Sequence, residues 1–521
     1  MKRKGNLYIL IVLLIIVSVL LLGSFNSVIA LEDNVVDDSE FKTIRVGLTD
    51  PIPTLDPVDH VQRNAQTVIR NFTDGLKQTM PDGSHVLEVA ESITELDPLT
   101  YEIKIREGIT FHNGDLLTAD DIVFSYERFM NSVRKSLLPI DSVEKIDDFT
   151  IIAKLEKYNA VLPRRWYMWE MMPKKYFEEV GVEGFIKHPI GCGPFKYVSG
   201  TISTELVLER YDDYYGGAPE LPGDVDRIPA VDRVIFKFIP ENTTRVAALL
   251  AGDVDIIQHV PFDSIELLQK ESNIEVKTAE GNVMVTLWFN VKNTPLNDVR
   301  VRKAIAHAID YESIVKFQLL GYATILGGRP FLEPFSDSPG FGQFEAIQPF
   351  EYSPKKAKAY LEEAGAIDPT FVLDTTSEFT EVAQAIAQML ADIGLNVTVR
   401  EWEYGAIHDA TISGQRNAFL RGVGNAQRNE EWINRITTGG VTSNYVFWDN
   451  PTFDNLIEKG RATPPSPERY AFFTEAFELV MDEVPIITLY APNIVEACSS
   501  TIKNFYPSHD GRVNLHRVDI D

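Results

Sequence analysis

Cysteine is scarce in this chain, with only Cys192 and Cys498 among 521 residues. Two cysteines cannot by themselves build a zinc site of the usual four-ligand kind. In an oxidising compartment they allow one disulfide, but the sequence gives no distance between their Cα atoms. One disulfide and two buried free thiols therefore stay open as alternatives.

The common catalytic motifs are missing. The sequence has no G-x-S-x-G elbow, no Walker loop, no H-E-x-x-H and no H-x-E…C-x-x-C pattern. Nine histidines are scattered between His60 and His516, and no pair has metal-ligand spacing. Gly422 and Gly424 resemble the start of a dinucleotide fingerprint whose third glycine is absent. The chain is therefore predicted to be no enzyme and to bind no metal or cofactor, although sequence order alone does not exclude a dispersed catalytic triad.

Positive charge is under-represented. Asp and Glu total 76 against 49 Lys and Arg, which gives a net charge of −27. Such a balance argues against nucleic acid or anionic lipid as the partner. The 44% hydrophobic and 24% charged residues are ordinary for a globular protein. The length favours two or three domains.

Long apolar runs are confined to the N-terminus. Basic residues 2–4 precede an apolar run from Leu7 to Leu22, and small residues follow at 28–30. This pattern predicts a signal peptide over residues 1–30, with a retained signal-anchor as the alternative. No cysteine follows the run, which argues against a lipid anchor. Residues 31–40 are acidic and aperiodic and are predicted to be a tether outside the cytoplasm.

The first half of the chain carries clear strand and cap signals. Residues 43–48 alternate as a strand, and residues 101–105 alternate as the first arm of a hairpin that turns at Gly108 and returns through Phe111. Thr118 has the character of an N-cap, and two aspartates follow it in the first turn of the predicted helix.

The second half alternates between helix and strand patterns. Helices are predicted to begin after Asp298, after Ser353 and at Thr380 or Glu381. A strand over 395–399 follows the last of these helices directly. This order predicts an open α/β sheet.

Several ordered segments together resemble one known family. They extend in the same order from about Phe41 to Leu489. They are residues 53–57 (PTLDP), 101–126 (YEIKIREGITFHNGDLLTADDIVFSY), 191–195 (GCGPF), 211–215, 250–255, 289–310, 352–365, 444–445 and 482–485. By these segments the chain is identified as a member of the family-5 extracellular solute-binding proteins.

This resemblance implies a two-lobed α/β fold of the type II, cluster C periplasmic-binding-protein kind, with a hinged ligand cleft. We expect lobe I to comprise 41–82, 200–288 and 491–521, with an inserted subdomain at 83–199. Lobe II is expected at 289–490. The chain should cross between the lobes near Trp288 and Tyr490.

The resemblance also implies a function. The chain is expected to be the solute-binding protein of an ABC importer, located in the periplasm or on the outer face of the cell membrane. It would act as a monomer, capture a solute by cleft closure and deliver it to permease subunits. A ligand sensor uncoupled from transport is the main alternative, and an exported hydrolase is a weaker one.

One departure from the family concerns the ligand. Peptide binders of the family carry an aspartate for the peptide ammonium in a segment that resembles 422–431 here, but Ala426 lies near that position. Glu430 or Glu431 would take that role if the alignment slipped. A peptide is still expected, and a neutral or anionic solute such as an oligosaccharide is the alternative. Arg421 or Arg428 would suit a carboxylate.

The candidate ligand-binding residues are polar or aromatic and lie in the expected lobe II. Polar groups would bond peptide or sugar groups, and aromatic rings would stack on apolar faces. The alternative for the polar loop is a position outside the cleft. The alternative for each aromatic residue, including Trp166 and Trp169 in the subdomain, is a position in the core. Histidine placement gives nickel capture little support. The candidates are Asn425, Gln427, Arg428, Asn429, Trp402, Tyr404, Trp432, Asn444, Tyr445 and Trp448.

Overall fold

Three larger β-sheets organise the chain in a computed structural model. The structure describes residues 41–521 except 61, 82–83, 159–161, 218, 220–227, 331–346, 367, 404–409, 412, 424–428, 439–443 and 465. Residues Thr43–Asp521 form one compact unit. The predicted signal segment at 1–30 and tether at 31–40 lie outside the described residues. Among the described residues, no helix has the length and apolar character that a bilayer crossing requires.

The first sheet has seven strands and gathers distant parts of the chain. The predicted strand β1 (Thr43–Leu48) lies at its centre and pairs in parallel with one strand on each side. Apolar side chains from both faces form two cores. In spatial order the strands are β12 (Ile274–Ala279), β19 (Ile494–Ser499), β11 (Ile256–Ile257), β1, β10 (Arg233–Phe238), β9 (Glu205–Arg210) and β8 (Phe195–Thr201), and the helices nearby in sequence are α1 (Arg63–Phe72), α4 (Asn242–Ala251) and α5 (Ile265–Gln269).

A four-stranded antiparallel sheet lies within the expected inserted subdomain. It packs with its helices around a separate core, in which Trp166 and Trp169 are fully buried, so the core alternative holds for both. The elements are β4 (Ala90–Asp97), β5 (Thr100–Ile105), β7 (Thr150–Leu155), β6 (Ile140–Asp147), α2 (Ala119–Met130) and α3 (Lys174–Lys187), and a small hairpin of β2 (Lys77–Thr79) and β3 (His85–Leu87) precedes them.

The second large sheet has six strands and carries helices on both faces. Each face has its own apolar core. In spatial order the strands are β14 (Ala323–Gly328), β18 (Ile486–Pro492), β13 (Met284–Phe289), β17 (Ala418–Val423), β15 (Thr370–Thr375) and β16 (Asn396–Glu401); the helices are α6 (Val299–Ala308), α7 (Tyr311–Gln318), α8 (Pro354–Ala364), α9 (Thr380–Ala391), α10 (Asn429–Ile436), α11 (Pro451–Ala462) and α12 (Pro467–Glu483), and β20 (Ile502–Lys503) pairs with β21 (Asp519–Ile520) near the C-terminus.

The predicted helix caps are confirmed. Thr118 and Asp121 form a reciprocal capping box at the start of α2. Asp298 accepts a hydrogen bond from the amide of Arg300 at 2.8 Å, and Ser353 accepts one from Lys356 at 3.4 Å. These side chains satisfy amide groups that have no partner inside the helix.

The predicted hairpin of residues 101–111 is wrong. Strand β5 pairs with β4 before it and β7 after it, so both of its edges are occupied. The segment after Gly108 instead makes a short turn of its own, in which Thr110 bridges Leu116. The alternation of residues 101–105 therefore predicted a strand correctly but not its partners.

The chain passes twice between the two large sheets. The first passage lies at 280–283, somewhat before the expected position at Trp288, because β13 already belongs to the second sheet. The second lies at Asn493, just after the expected position at Tyr490, because β18 continues to Pro492. Residues 195–199, expected in the inserted subdomain, instead pair within the first sheet as part of β8.

Both cysteines are free and buried in different cores. Cys192 belongs to the core of the four-stranded sheet, and Cys498 belongs to a core of the first large sheet. Burial raises the pKa of the Cys192 thiol well above its usual range and that of Cys498 to about 11. Of the two alternatives left by the sequence, the structure has the free thiols.

We expect both thiols to be unreactive in the native protein, because burial blocks access and suppresses the thiolate. A thiol reagent such as dithionitrobenzoate should label none of them in buffer and both in 6 M guanidinium without reductant. Labelling of neither in guanidinium would instead indicate a disulfide.

Candidate functional site

The two passages between the large sheets lie in direct contact. Gly281, in the first passage, is so close to the second that an added Cβ would lie 1.9 Å from the carbonyl oxygen of Pro492. Only glycine fits such an approach of two backbones. The two connections between the sheets are thus held side by side.

A cavity of about 530 Å³ lies next to these passages and has walls from both sheets. This volume is in the range of small-molecule sites, which are typically about 300–1,000 Å³. The residues of the first-sheet wall are Arg63, His259, Val260, Phe262, Ile494 and Val495. The opposite wall and the passages contribute Val283, Gln318, Leu319, Ser377, Glu378, Phe379, Glu381, Val382, Tyr490, Pro492 and Asn493.

Local structure places the polar groups of the cavity. Arg63 is the first residue of α1, and His259 follows β11 with a left-handed φ of 51°. Glu378 and Glu381 lie where the chain leaves the parallel strand β15 and enters α9. The carboxyl edge of parallel strands is the usual ligand edge of an open α/β sheet. The cavity thus has the position expected for a binding cleft.

The cavity has opposite charges on its two walls. Burial lowers the pKa of Arg63 while carboxylates such as that of Asp510 oppose the shift. Burial raises the pKa of Glu378, and the positive charge of Arg63 opposes that shift. Burial, aided by Arg63 and Arg245, lowers the pKa of His259 to about 4, so this imidazole is neutral at pH 7.

A second polar cluster lies on the second sheet around a fully buried carboxylate. Asp374 accepts hydrogen bonds from Arg400 at 2.6 and 3.0 Å and from the indole of Trp402 at 2.7 Å. Arg416 forms an ion pair with it at 2.8 Å, and its guanidinium also lies 4.3 Å from the centre of the Trp402 ring. Trp402, one of the predicted ligand contacts, is therefore held by a hydrogen bond to Asp374 and by the guanidinium next to its ring.

Three of the other predicted contacts lie in or beside the core. Tyr445 and Trp448 are each 4% exposed; Tyr445 packs edge-on against Trp288, and the indole of Trp448 donates to Glu483 at 2.6 Å. Asn444 donates to the carbonyl of Trp448 at 3.0 Å. These contacts show how the side chains are held, while a ligand role for them stays a prediction.

The rest of the predicted set has little or no structural description. Asn425, Gln427, Arg428 and Tyr404 lie outside the described residues. Asn429 and Trp432 belong to helix α10, and their side chains are outside the description. Their proposed contact with a solute therefore stays a prediction too.

One buried group has the composition of a metal site. Ligand atoms of Asp74, Glu88 and His516 lie within 4.8 Å of one another. However, Glu88 is paired with Arg70 at 2.6 Å, and Asp74 accepts from two tyrosine hydroxyls, one of them Tyr214 at 3.0 Å. Protein donors thus already contact Asp74 and one oxygen of Glu88, and the group links the C-terminal segment to the start of the inserted sheet.

Sequence reasoning missed the charged residues of the cavity. Arg63 follows an irregular loop and carries no local motif. Glu378 and Glu381 had a usable signal, because acidic residues between a parallel strand and its helix lie at the ligand edge of such sheets. The helix start at Thr380 was predicted, but its nearness to Arg63, more than 300 residues earlier, was not.

The chain is similar to known solute-binding proteins over most of its length. The model of the bacterial extracellular solute-binding proteins, family 5, matches residues 85–440, which is more than half of the chain. The oligopeptide-binding protein AppA of Bacillus subtilis is 28% identical, over 81% of this chain and 82% of that protein. The glutathione-binding protein GsiB of Pectobacterium atrosepticum is 25% identical over 92% and 93%.

A solved structure shows the same fold. The periplasmic binding protein DppA of Helicobacter pylori, in complex with the peptide STSA, superposes with a TM-score of 0.75 at 24% identity. The match covers 93% of this chain and 99% of that one. The predicted type II α/β fold is thereby confirmed. With the match to the family model, it follows that this chain belongs to the bacterial extracellular solute-binding proteins, family 5.

Proposed function

We propose that this chain captures peptides for an ABC importer, by enclosing them in the cavity between its two large sheets. The observation that carries the proposal is a cavity of about 530 Å³ with one wall from each sheet, directly beside the two connecting passages. A rotation about these passages would bring both walls onto a solute. The closed form would then be recognised by the membrane permease.

The peptide class is supported by the relatives and by the cavity. Among the relatives, AppA is named for oligopeptides and GsiB for glutathione. The cavity has a guanidinium on one wall, carboxylates on the other and apolar side chains such as Phe379 between them. A peptide offers the same combination of charged ends and apolar side chains. A neutral oligosaccharide would leave the charged groups without a partner, which is costly in a closed cavity.

We infer further details that accompany this role. The residues of the first and second sheets would form lobes I and II, with the four-stranded sheet as an insertion in lobe I. The protein would act as a monomer outside the cytoplasm. Residues 1–30 would direct export and be either cleaved or kept as an anchor.

The experiment is to identify the solute that accompanies the purified protein. Residues 31–521 are purified without refolding, and any bound solute is identified by mass spectrometry. The protein is then stripped of solute and its unfolding is followed with pools of di- to octapeptides. Binding at 100 times the dissociation constant should stabilise the fold by about 2.7 kcal/mol. A rise in melting temperature with oligosaccharides but with no peptide pool would refute the peptide class.

A further inference from the structure

One guanidinium in the cavity has no hydrogen-bond or ion-pair partner among the described residues. Arg63 lies against the backbone of Gly511, where an added Cβ would be 3.5 Å from its Nη1 atom. Within the part of the chain that the structure describes, Arg63 forms no hydrogen bond and no ion pair, and it supplies the only guanidinium or ammonium on the cavity wall. This is unusual, because half-buried arginines are normally held by carboxylates or carbonyl groups.

The acidic groups near Arg63 are used elsewhere or are neutral. Asp510 is paired with Arg512 at 2.6 Å and accepts from Ser508 at 2.8 Å. Burial raises the pKa of Glu496 to about 8, so this group is mostly protonated at pH 7. Glu378 lies across the cavity and is not ion-paired with Arg63. The positive charge of Arg63 is therefore not neutralised by a contact on its own side of the cavity.

We infer that Arg63 binds a carboxylate of the solute and so makes the cavity selective for solutes that carry one. This inference rests on the proposed function and specifies the chemistry of its ligand. The planar guanidinium can donate two parallel hydrogen bonds to the two oxygens of a carboxylate. Desolvation in the closed cavity strengthens such a pair, provided that both partners are present.

The opposite wall determines how a peptide would be oriented. Glu378 and Glu381 enter the cavity from the start of α9, on the second sheet. A peptide whose α-carboxylate meets Arg63 would direct its ammonium end away from the first sheet and toward these carboxylates. The two walls would then each contact one end of the zwitterion, so closure would depend on both.

Alanine peptides with blocked and free C-termini test this inference. Dialanine to pentaalanine are titrated calorimetrically, each as the free acid and as the C-terminal amide. The wild-type protein should bind the acids about 10- to 100-fold more tightly than the amides, as expected for a charge-assisted contact. Arg63→Gln should reduce this ratio to about twofold or less. Arg63→Lys should retain part of it, because the charge stays but the fork is lost.

The controls separate a local effect from damage to the fold. Arg210→Gln removes an arginine at the end of β9 that is paired with Asp212 and Asp232 and does not line the cavity. It should keep the full preference for the acids. Melting temperatures of all variants are compared without solute, so that a misfolded Arg63→Gln is recognised and Arg63→Lys carries the test.

Each binding result either supports or overturns the role of Arg63 or the capture of peptides. An acid preference that survives Arg63→Gln, or equal binding of acids and amides by the wild type, overturns the role of Arg63 but leaves peptide capture standing. If no peptide binds in either form, the peptide function fails and the co-purified solute decides the rest. An anionic solute whose binding is lost in Arg63→Gln upholds the inference, and a solute without an anionic group overturns it.

Discussion

Replacing Asp374 by alanine should destabilise the protein by about 3–5 kcal/mol, which is the usual cost of breaking a buried ion pair from one side. The carboxylate is fully buried, accepts hydrogen bonds from Arg400 and from the indole of Trp402, and forms an ion pair with Arg416. Arg416 is only 3% exposed, and none of its guanidinium nitrogens has a hydrogen-bond partner among the described residues, so it depends on the ion pair with Asp374. Without Asp374, the buried guanidinium of Arg416 would lose its carboxylate and would be left beside the half-exposed guanidinium of Arg400.

Urea unfolding measures this effect, with the m-value checked for a constant change in exposed surface. Asp232→Ala is the matched control, because Asp232 pairs with Arg210 at 2.7 Å while both side chains are about 30% exposed. Such a pair should contribute only about 0–1 kcal/mol. Equal losses in the two variants would show that the buried cluster is not more important than a surface pair. Asp374→Ala should also weaken solute binding if Trp402 contacts the solute.

The elements that could be predicted from the sequence are those fixed by neighbouring residues. The cap at Thr118 and the helix starts at Asp298 and Ser353 depend on contacts within about four residues, so their signal is local. The partners of β5 could not be predicted in the same way. Alternation shows that a strand has two different faces, but it does not show which strands occupy its edges.

The candidate site could be predicted only in part, for a related reason. The family resemblance placed the ligand between the lobes and drew attention to Trp402, which the structure fixes through Asp374 on the second sheet. The cavity itself combines residues 63, 259, 378 and 494, which meet only because the chain passes twice between the sheets. Whether an arginine is paired depends on what surrounds it in space, so the sequence around Arg63 does not reveal that it has no partner among the described residues.

A buried glutamate should make the stability of the protein depend on pH. Glu496 on β19 is fully buried, and neither carboxylate oxygen has a hydrogen-bond partner among the described residues. Burial, reinforced by Asp510 and opposed by Arg63, raises its pKa to about 8. The unfolded chain releases this proton near pH 4.5, so between about pH 4.5 and 8 the folded state binds one more proton. Stability is therefore lost as the pH rises, by up to about 1.4 kcal/mol per pH unit from this group.

Glu496→Gln removes this titration and should make the protein more stable than the wild type at pH 8, by about 2–4 kcal/mol. Near pH 5 the two proteins should be almost equally stable, because the wild-type carboxyl is then protonated as well. Urea unfolding at intervals from pH 5 to 9 measures the difference. The other shifted groups, including Glu88 with a pKa of about 7 and His259 with a pKa of about 4, are common to both proteins, so their contributions largely cancel.

Glu275→Gln provides the control for this pH profile. Glu275 lies on the adjacent strand β12, and its side chain is 49% exposed and paired with Lys277. Its replacement should change stability by about 0.5 kcal/mol or less at every pH. The contrary result is a difference in stability between Glu496→Gln and the wild type that is equal at pH 5 and pH 9. That result would mean that Glu496 does not hold a proton in the folded state. Arg63 would then face an ionised Glu496, and its charge would be compensated by the protein instead of by the carboxylate of a solute.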